Sequence, residues 1–418
     1  MDYVDEYRDP TLAKAIIDNI NNALLAIPDN KKPLQIMEVC GGHTHTLFKF
    51  GLIQLLPKDI EFVHGPGCPV CVLPKSRLDQ CIAIAEIDNT ILCTFGDAMR
   101  VPGSNGSLLD AKSRGCDVRI VYSPMDALLL AEKNPHKQII FFGLGFETTM
   151  PATAMTVLQA EQKQINNFKL FCQHITLMPT LQALLNQKEI RIDGFLLPGH
   201  LSMIIGTQPY QPLVDTYSKP SVVTGFEPLD MLQAILMLVT QFKQSRCEIE
   251  NQYSRVVKKQ GNTQALKAMA QVFKTKQSSE WRGLGMIKKS GIKLSKNFIH
   301  FDAEHYFQPK TYTASDPQGS RCGEVLSGLC KPTDCPLFAD NCIPENAIGA
   351  LMVSSEGACA AYYNYSYNCS QNNTTDHYPN GKPNQKHNID HNPSHSPATI
   401  ADKIAISDIK PTTTKRSE

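Results

Sequence analysis

The stretch LQIMEVCGGHTH, residues 34–45, decides the fold, because a short apolar run ends at a cysteine and two glycines and a helical pattern follows. The same order recurs along the chain, with each apolar run ending near Gly, Pro or Cys. There are eight such runs, at residues 34–39, 60–63, 90–95, 118–122, 138–142, 168–171, 192–197 and 221–224. Strands that alternate with helices are typical of βαβ units. The sequence therefore predicts an α/β fold with parallel sheets, preceded by an amphipathic helix over residues 12–26.

Eight strands are enough for two doubly wound domains of four strands each. The segment KNPH at residues 133–136 divides the runs evenly, and a single eight-stranded barrel is the alternative. A helical, polar and basic pattern over residues 245–276 predicts a bridge to a third unit. We expect two α/β domains at residues 1–135 and 136–245, a bridge with a cysteine domain at 246–369, and a disordered tail at 370–418, rich in Asn, His and Pro.

The composition excludes several classes of protein. The 41 Lys and Arg residues balance 40 Asp and Glu residues, which does not favour a nucleic-acid binder. No apolar signal region begins the chain, and the longest apolar run, residues 229–242, is shorter than the about 20 residues that span a bilayer. We therefore expect a cytoplasmic protein. Thiols stay reduced there, so 14 cysteines indicate metal or redox chemistry more than a disulfide framework.

The first cysteine group follows the first two predicted strands. Cys40 precedes His43 and His45, and the motif HGPGCPVC contains Cys68 and Cys71. Ligand sites of open α/β sheets gather at the carboxyl ends of strands, so one crevice is predicted for all three thiols. The spacing of Cys68 and Cys71 supports thiol–disulfide exchange, but it also makes half of a zinc site. Cys40 by itself is equally typical of a core position, although the glycines beside it favour exposure.

The second group is the set of cysteines in the third unit, Cys322, Cys330, Cys335, Cys342 and Cys359. Four thiolates from one domain can hold a cubane iron–sulfur cluster or a structural zinc. The wide intervals leave both the metal and the choice of four ligands open. Aromatic and small apolar neighbours favour a shielded cluster.

Three weaker motifs follow other predicted strands. In FGDAMRVPG, Asp97 and Arg100 either line the crevice or make a helix cap or surface pair. LPGH supplies His200 as a further candidate for the site. GLGFETT lacks the lysine of a Walker motif and the third glycine of a Rossmann motif, so nucleotide binding is not favoured.

The motifs CGGHTH, HGPGCPVC, FGDAMRVPG, GFETT, LPGH, CGEVL, DCPLF and MVSSEGACAAYY occur in one order between residues 34 and 363. Together they resemble the HypD family of hydrogenase maturation factors. The resemblance implies a scaffold on which the Fe(CN)2(CO) group of [NiFe] hydrogenase is assembled. It implies two α/β domains before a domain with a [4Fe–4S] cluster. It also implies two partners, a HypC-type chaperone that shares the iron and a HypE-type protein that delivers cyanide.

Carried over by position, the resemblance gives roles to the first cysteine group. Cys40 matches the thiol that binds the iron fragment, and His43 lies in the same motif as an assisting group. Cys68 and Cys71 match a thiol pair proposed as a redox relay. A soft thiolate is a suitable ligand for iron that carries cyanide and carbonyl.

For the second group, the resemblance implies the cluster ligands Cys322, Cys335, Cys342 and Cys359. Cys330 is then a fifth thiol that departs from the pattern, and Glu356 is expected to tune the cluster region. Without the resemblance, the same cysteines are compatible with two other functions. One is a thiol–disulfide oxidoreductase fed by an iron–sulfur cluster, and the other is a zinc-stapled interaction protein. The resemblance favours a redox-active scaffold over a classical turnover enzyme.

Overall fold

The computed structural model describes residues 5–310 and 317–367. All eight predicted strands form. Within the described residues the strands are β1 (Leu34–Glu38), β2 (Ile60–His64), β3 (Thr90–Thr94), β4 (Val118–Ile120), β5 (Gln138–Gly145), β6 (Phe168–His174), β7 (Gly194–Pro198), β8 (Ser221–Thr224), β9 (Ile249–Asn251), β10 (Phe273–Thr275), β11 (Ser278–Trp281), β12 (Gly285–Lys288) and β13 (Ile292–Leu294).

Most of these strands alternate with helices, as the pattern predicts. The α-helices of the described residues are α1 (Pro10–Leu24), α2 (Gly41–Lys49), α3 (Leu52–Leu55), α4 (Lys75–Ala85), α5 (Leu108–Ser113), α6 (Pro124–Lys133), α7 (Met150–Gln162), α8 (Leu177–Leu185), α9 (Gly199–Ile205), α10 (Gln211–Asp215), α11 (Pro228–Lys243), α12 (Thr263–Val272), α13 (Ala303–Phe307), α14 (Cys322–Leu326) and α15 (Ala358–Tyr362). Short 3₁₀ turns join them, at Glu6–Arg8, Asp29–Lys31, Gly96–Arg100, Gln208–Tyr210, Lys296–Phe301, Pro332–Asp334 and Ala350–Met352.

Two parallel sheets carry the fold. The first has the strand order β2-β1-β7-β8-β9, and the second has the order β4-β3-β5-β6. Every pair of neighbours in both sheets is parallel. All residues of β3, β7 and β8 are buried, which is typical of parallel strands covered on both faces. The predicted α/β class is confirmed, and the division into two sheets excludes a single barrel.

The strands are grouped differently from the even division expected at residues 133–136. β7 lies beside β1, with Ile36 opposite Gly194 and Glu38 opposite Leu196. The first sheet therefore combines strands from both sides of the expected boundary, and β3 to β6 form the second sheet between them in sequence. The physical reason is that the composition of an apolar run predicts a strand but not its partner. The domain boundaries themselves stay a prediction.

Helices cover both sheets through separate apolar clusters. α1 and α11 pack together on the first sheet, where Ile20 and Leu238 are fully buried. Asp9 caps α1 by accepting from the N–H of Thr11 at 2.7 Å, and Pro10 occupies the first helical position. α7 and α12 pack together on the second sheet.

The bridge expected over residues 245–276 is helical only in part, which corrects the prediction. β9 adds a fifth parallel strand to the first sheet before α12 begins. Asn262 starts α12 by accepting from the N–H of Ala265 at 3.1 Å, directly after Gly261, whose φ is +67°. The chain before Asn262 therefore turns instead of continuing a helix, and after Val272 it becomes strand β10.

The cysteine-rich segment 317–367 consists of short helices and turns. Its apolar side chains, among them Val325, Leu351 and Met352, join the same buried cluster as the ends of the sheets. α15 packs on α2, which brings this segment close to the motif CGGHTH. Cys369 and the predicted tail, residues 370–418, lie outside the described residues. In the described part of the chain, we find no helix with the length and apolar character needed to cross a membrane.

Candidate functional site

The carboxyl ends of both sheets meet at one cavity of about 470 Å³. The wall of the cavity contains Cys40, which follows β1, together with Gly67 and Pro69 from the loop after β2. The second sheet contributes the loop after β5, and His200 follows β7. Strand ends of open α/β sheets are the usual place for a ligand, so this cavity is the candidate site. It is lined by Val39, Cys40, Gly67, Pro69, Gly145, Phe146, Thr148, Thr149, Leu177, Pro198, His200, Leu201, Met203, Ile204 and Glu356.

Cys40 is a half-buried thiol at the position that precedes the first turn of α2. Burial and the nearby Glu356 carboxylate raise the pKa of this thiol to about 12, while hydrogen bonds from the N–H groups of Gly42 and His43 oppose the shift. The thiol is therefore protonated at neutral pH. A metal cation that replaces the proton would gain a thiolate ligand already facing two backbone donors.

His43 lies behind the cavity wall and is fully buried. Burial lowers the pKa of its imidazole to about 4, so the ring is neutral. Neither ring nitrogen has a hydrogen-bond partner of good geometry among the described residues, although the backbone carbonyls of Thr224 and Gly225 are close enough to oppose the lowering of the pKa. The ring contacts Phe226 with a centroid distance of 4.9 Å, and Phe226 stacks on His200 at 3.9 Å. His45 points elsewhere and meets Tyr365 edge-on at 5.8 Å.

Glu38 is a site residue that the sequence analysis missed. It is the last residue of β1 and only 1% exposed. Its Oε2 accepts from the N–H of Cys40 at 3.0 Å, and its Oε1 accepts from the hydroxyl of Thr44 and lies 2.7 Å from His64 Nδ1. A carboxylate at the end of a buried strand was the available signal, since buried charges are rare unless they are paired.

Cys68 and Cys71 form a buried thiol pair. Their sulfur atoms lie 2.6 Å apart, and the N–H of Cys71 donates to Cys68 Sγ at 3.3 Å. Burial and the hydrogen bond to Cys68 raise the pKa of Cys71 well above the usual value. A disulfide bond has an S–S distance of about 2.05 Å, so only a small movement separates the pair from that bond.

The thiol pair adjoins the cysteine-rich segment. A Cβ atom on Gly357 would lie 3.2 Å from Cys71 Sγ, so no side chain separates the two. Cys359 also contributes to the raised pKa of Cys71. The structure therefore brings the predicted redox pair next to the predicted cluster ligands.

Four thiols of the second group line one small pocket, Cys322, Cys335, Cys342 and Cys359. Leu337, Phe338, Leu351 and Met352 supply its apolar wall. The N–H of Gly349 donates to Cys342 Sγ at 3.5 Å, and the hydroxyl of Ser320 donates to Cys322 Sγ at 3.3 Å.

Burial raises the pKa of Cys359, and the charges of the neighbouring thiolates raise it further. Cys330 is the fifth thiol and lines a different cavity of about 360 Å³, beside Glu61 and Lys331. Among residues 5–310 and 317–367, no three His, Cys, Asp or Glu side chains converge on the position of a single metal ion.

Asp97 and Arg100 do not line the cavity. They form hydrogen bonds with the segment that carries Glu356. Arg100 donates to the carbonyl of Val353 at 3.2 Å, and the hydroxyl of Ser354 donates to Asp97 Oδ2 at 3.5 Å. Burial and the charges of Asp97 and Glu38 raise the pKa of Glu356. Glu356 lines the cavity together with Cys40, and its charge helps to raise the pKa of that thiol.

The tripeptide Gly-Phe-Glu occurs after two strands and has a different role at each. Glu147 is buried, which raises the pKa of its carboxyl to about 7, and its Oε1 accepts from the N–H of Leu177 at 3.3 Å. Its Oε2 has no partner within the described residues. Glu227, in contrast, pairs with Arg8 at 2.6 Å at the start of α11. The loop with Glu147 lines the cavity, and the loop with Glu227 places Phe226 behind it.

Comparisons with known proteins agree with the order of these motifs. The family model HypD, described as the hydrogenase formation hypA family, matches residues 11–366. The hydrogenase maturation factor HypD of Escherichia coli (strain K12) is 56% identical over 366 residues, which cover 87% of this chain and 98% of that protein. The hydrogenase maturation factor HypD of Rhodobacter capsulatus is 50% identical over 370 residues, which cover 87% and 98%.

The hydrogenase maturation factor HypD of Azotobacter vinelandii is 44% identical over 371 residues, which cover 87% of this chain and 97% of that protein. Matches of this length include both parallel sheets, the cavity and the cysteine-rich segment. The chain therefore belongs to the HypD family of hydrogenase maturation factors.

Proposed function

We propose that this protein is a redox-active scaffold on which the Fe(CN)2(CO) group of [NiFe] hydrogenase is assembled. The observation that carries the proposal is that Cys40 faces a cavity at the ends of both sheets, next to the loop of a buried thiol pair. The iron fragment is the cargo of this site. Its partners are a HypC-type chaperone, which shares the iron, and a HypE-type protein, which delivers cyanide, and all act in the cytoplasm.

Cys40 is the proposed ligand of the iron fragment. A thiolate is a soft ligand and suits low-spin iron that carries cyanide and carbonyl. Because the pKa of Cys40 is about 12, iron binding must release the thiol proton. The N–H groups of Gly42 and His43 then stabilise the thiolate, and the neutral imidazole of His43 is available to assist behind the thiol.

Cys68 and Cys71 are the proposed two-electron group. When they form a disulfide, the two thiols release two electrons and two protons, and reduction reverses the step. The sulfur–sulfur distance of 2.6 Å supports this exchange within one turn of the chain. The proximity of Cys71 to Gly357 supports a short path for electrons from the cysteine-rich segment.

The four thiols of the second pocket suit a [4Fe–4S] cluster. Cys322, Cys335, Cys342 and Cys359 supply the usual four thiolates, and the apolar wall would shield the cluster from water. Such a cluster, when bound, supplies one-electron transfer. The N–H of Gly349 and the hydroxyl of Ser320 are placed to donate to two of the sulfur atoms, which is a usual way to adjust a reduction potential. Cys330 is left outside this set because it lines the other cavity.

Infrared spectroscopy of the full chain, purified without oxygen from cells that contain its partners, tests the proposal. We expect cyanide and carbonyl stretches on the wild-type protein and their loss in Cys40→Ser. Cys116→Ser is the matched control, since Cys116 is a half-buried thiol outside the cavity wall. Stretches retained in a folded Cys40→Ser protein would reject Cys40 as the ligand.

A thiol–disulfide oxidoreductase is the second candidate, and the short distance between Cys68 and Cys71 favours it. This function requires turnover on a disulfide substrate, with Cys40 dispensable. A comparison of turnover between Cys40→Ser and Cys68→Ser separates the two candidates, because only the oxidoreductase keeps full activity without Cys40. Analysis of the preparation for iron and sulfide distinguishes both candidate functions from a zinc-stapled interaction protein, which would contain zinc without iron or sulfide.

A further inference from the structure

The loop that carries Cys40 and the loop that carries Cys68 and Cys71 are in direct backbone contact. A Cβ atom on Gly67 would lie 2.3 Å from the carbonyl carbon of Val39 and 2.4 Å from the amide nitrogen of Cys40. Only a glycine lets the loop after β2 approach the loop after β1 this closely. The position of Cys40 is therefore sensitive to the position of the chain that leads to Cys68.

The side chain of Glu38 is a polar link across this contact, in addition to the backbone bond from the N–H of Gly65 to the carbonyl of Glu38 at 2.8 Å. Its carboxylate accepts from the N–H of Cys40 on one side, at 3.0 Å, and lies 2.7 Å from His64 Nδ1 on the other. His64 ends β2 and begins the motif that contains Cys68 and Cys71. The ring of His64 is held in place by Phe48 and Tyr362, with centroid distances of 5.6 and 5.5 Å.

We propose that Glu38 is a positioning residue that couples the Cys40 loop to the loop of Cys68 and Cys71 through His64. The inference deepens the proposed function, since it concerns the same three thiols. A carboxylate suits this task because it offers an acceptor oxygen to each loop at the same time. Its burial makes both bonds costly to break, because the freed donors would lose their partners away from water.

Glu38→Asp is the most direct test. Aspartate keeps the charge and both oxygen atoms but is shorter by one methylene, so it cannot reach both loops from the same backbone position. The full chain is prepared reduced and without iron, and two quantities are measured. They are the rate at which iodoacetamide alkylates Cys40, followed by peptide mass spectrometry, and the midpoint potential of the pair Cys68 and Cys71.

We expect Cys40 to be alkylated about fivefold faster in Glu38→Asp, the size of effect that follows from losing one hydrogen bond. We also expect the midpoint potential of the thiol pair to move by about 20 mV. For a two-electron couple, this shift corresponds to the same fivefold change in the equilibrium constant between dithiol and disulfide. Thr44→Val is the matched control. It removes a third donor from the same carboxylate but leaves both links between the loops, so both quantities should stay near wild type.

His64→Leu supplies a second test if Glu38→Asp does not fold. It removes the ring nitrogen that contacts Glu38 on the side of β2, while Glu38 keeps its bond to Cys40. Faster alkylation of Cys40 in this variant would show that the effect crosses through Glu38. Unchanged alkylation and an unchanged potential in a folded Glu38→Asp or His64→Leu protein would overturn the proposal.

The two proposals fail in different ways. Alkylation and the potential are measured without iron, so they decide the coupling whether or not Cys40 binds the iron fragment. If these quantities move while Cys40→Ser keeps the cyanide and carbonyl stretches, then the coupling stands and the assignment of Cys40 as iron ligand falls.

Discussion

Cys71 packs its sulfur atom against Gly357, where a Cβ atom would lie only 3.2 Å from Sγ. Gly357 directly precedes α15, which carries Cys359. The thiol pair after β2 and the four-cysteine pocket are therefore neighbours, although nearly 300 residues separate them in sequence. This contact gives the proposed transfer of electrons a short route, and several measurements follow from it.

Mild oxidation of the iron-free protein should form a disulfide between Cys68 and Cys71 before any other pair. The reason is that their sulfur atoms already lie 2.6 Å apart within one turn. Peptide mass spectrometry under non-reducing conditions identifies the bond, and Cys71→Ser is the control that cannot form it. A first disulfide that involves Cys40 would contradict the prediction.

If the four-cysteine pocket holds the proposed cluster, replacing Cys359 by Ala should remove most of the brown absorbance of an anaerobic preparation and lower the stability of the cysteine-rich segment. Ligation to metal supplies folding energy, and Cys359 lines the pocket shared by the four thiols. Cys330→Ala is the matched variant and should keep the absorbance, since Cys330 faces the other cavity. If Cys330→Ala loses the colour instead, Cys330 belongs to the ligand set.

Stability should fall as pH rises from about 4.5 to about 7 because of Glu147. The pKa of its carboxyl is about 7 in the folded protein and about 4.5 in the unfolded chain, so folding favours the protonated form. The contribution is present below pH 4.5 and lost above pH 7, and amounts to at most about 3 kcal/mol. Urea unfolding at pH 5.5 and pH 8 measures it.

Glu147→Gln should remove this pH dependence and raise the free energy of unfolding at pH 8. Glu189→Gln changes a carboxyl on the surface and serves as the control, with little effect expected at either pH. An equal pH dependence in wild type and Glu147→Gln would mean that Glu147 keeps its charge in the folded state.

Gly41→Ala should displace the segment that carries Glu356. A Cβ atom at Gly41 would lie 2.3 Å from the Cβ of Glu356 and 2.6 Å from its carbonyl oxygen, so backbone must move. We expect a loss of about 1–3 kcal/mol in the free energy of unfolding. Gly96→Ala is the matched control, because the nearest atom to its Cβ would be Ile120 Cγ2 at an ordinary 3.8 Å. Equal stability of the two variants would reject the close contact.

The strands were predictable because each one is a short apolar run with clear ends. Their partners were not, since nothing local in LQIME states that β1 lies beside β7. The same limit explains the bridge, where Val256 and Val257 fit a helical spacing but precede the turn that Gly261 and Asn262 enforce. Local patterns predict local structure, whereas the choice of neighbouring strands in a sheet depends on packing across the whole chain.

The rule for strand ends predicted one crevice for Cys40, Cys68 and Cys71. Cys40 and His200 do lie in one cavity wall, but Cys68 and Cys71 are buried outside its lining. Glu38 was missed because it was counted as part of an apolar strand, without asking what would pair a buried carboxylate. Asp97 and Arg100 were considered for the crevice, but they hold the chain at Val353 and Ser354 instead. Spacing alone left the choice of four ligands among the five thiols open. The family resemblance set Cys330 apart, and the structure places it at a different cavity.

The first sheet combines strands that precede the second sheet in sequence with strands that follow it. The first sheet therefore cannot be completed until the second has been synthesised. β1 leaves the ribosome long before β7, and at 5–20 residues per second the delay is roughly ten to thirty seconds. During that time Cys40 has no cavity around it, and the cysteine-rich segment that completes the wall with Glu356 is made after all the strands of both sheets. A chain that ends before Glu356 therefore cannot form the complete cavity, so the order of the elements confines the site to copies that extend past this residue.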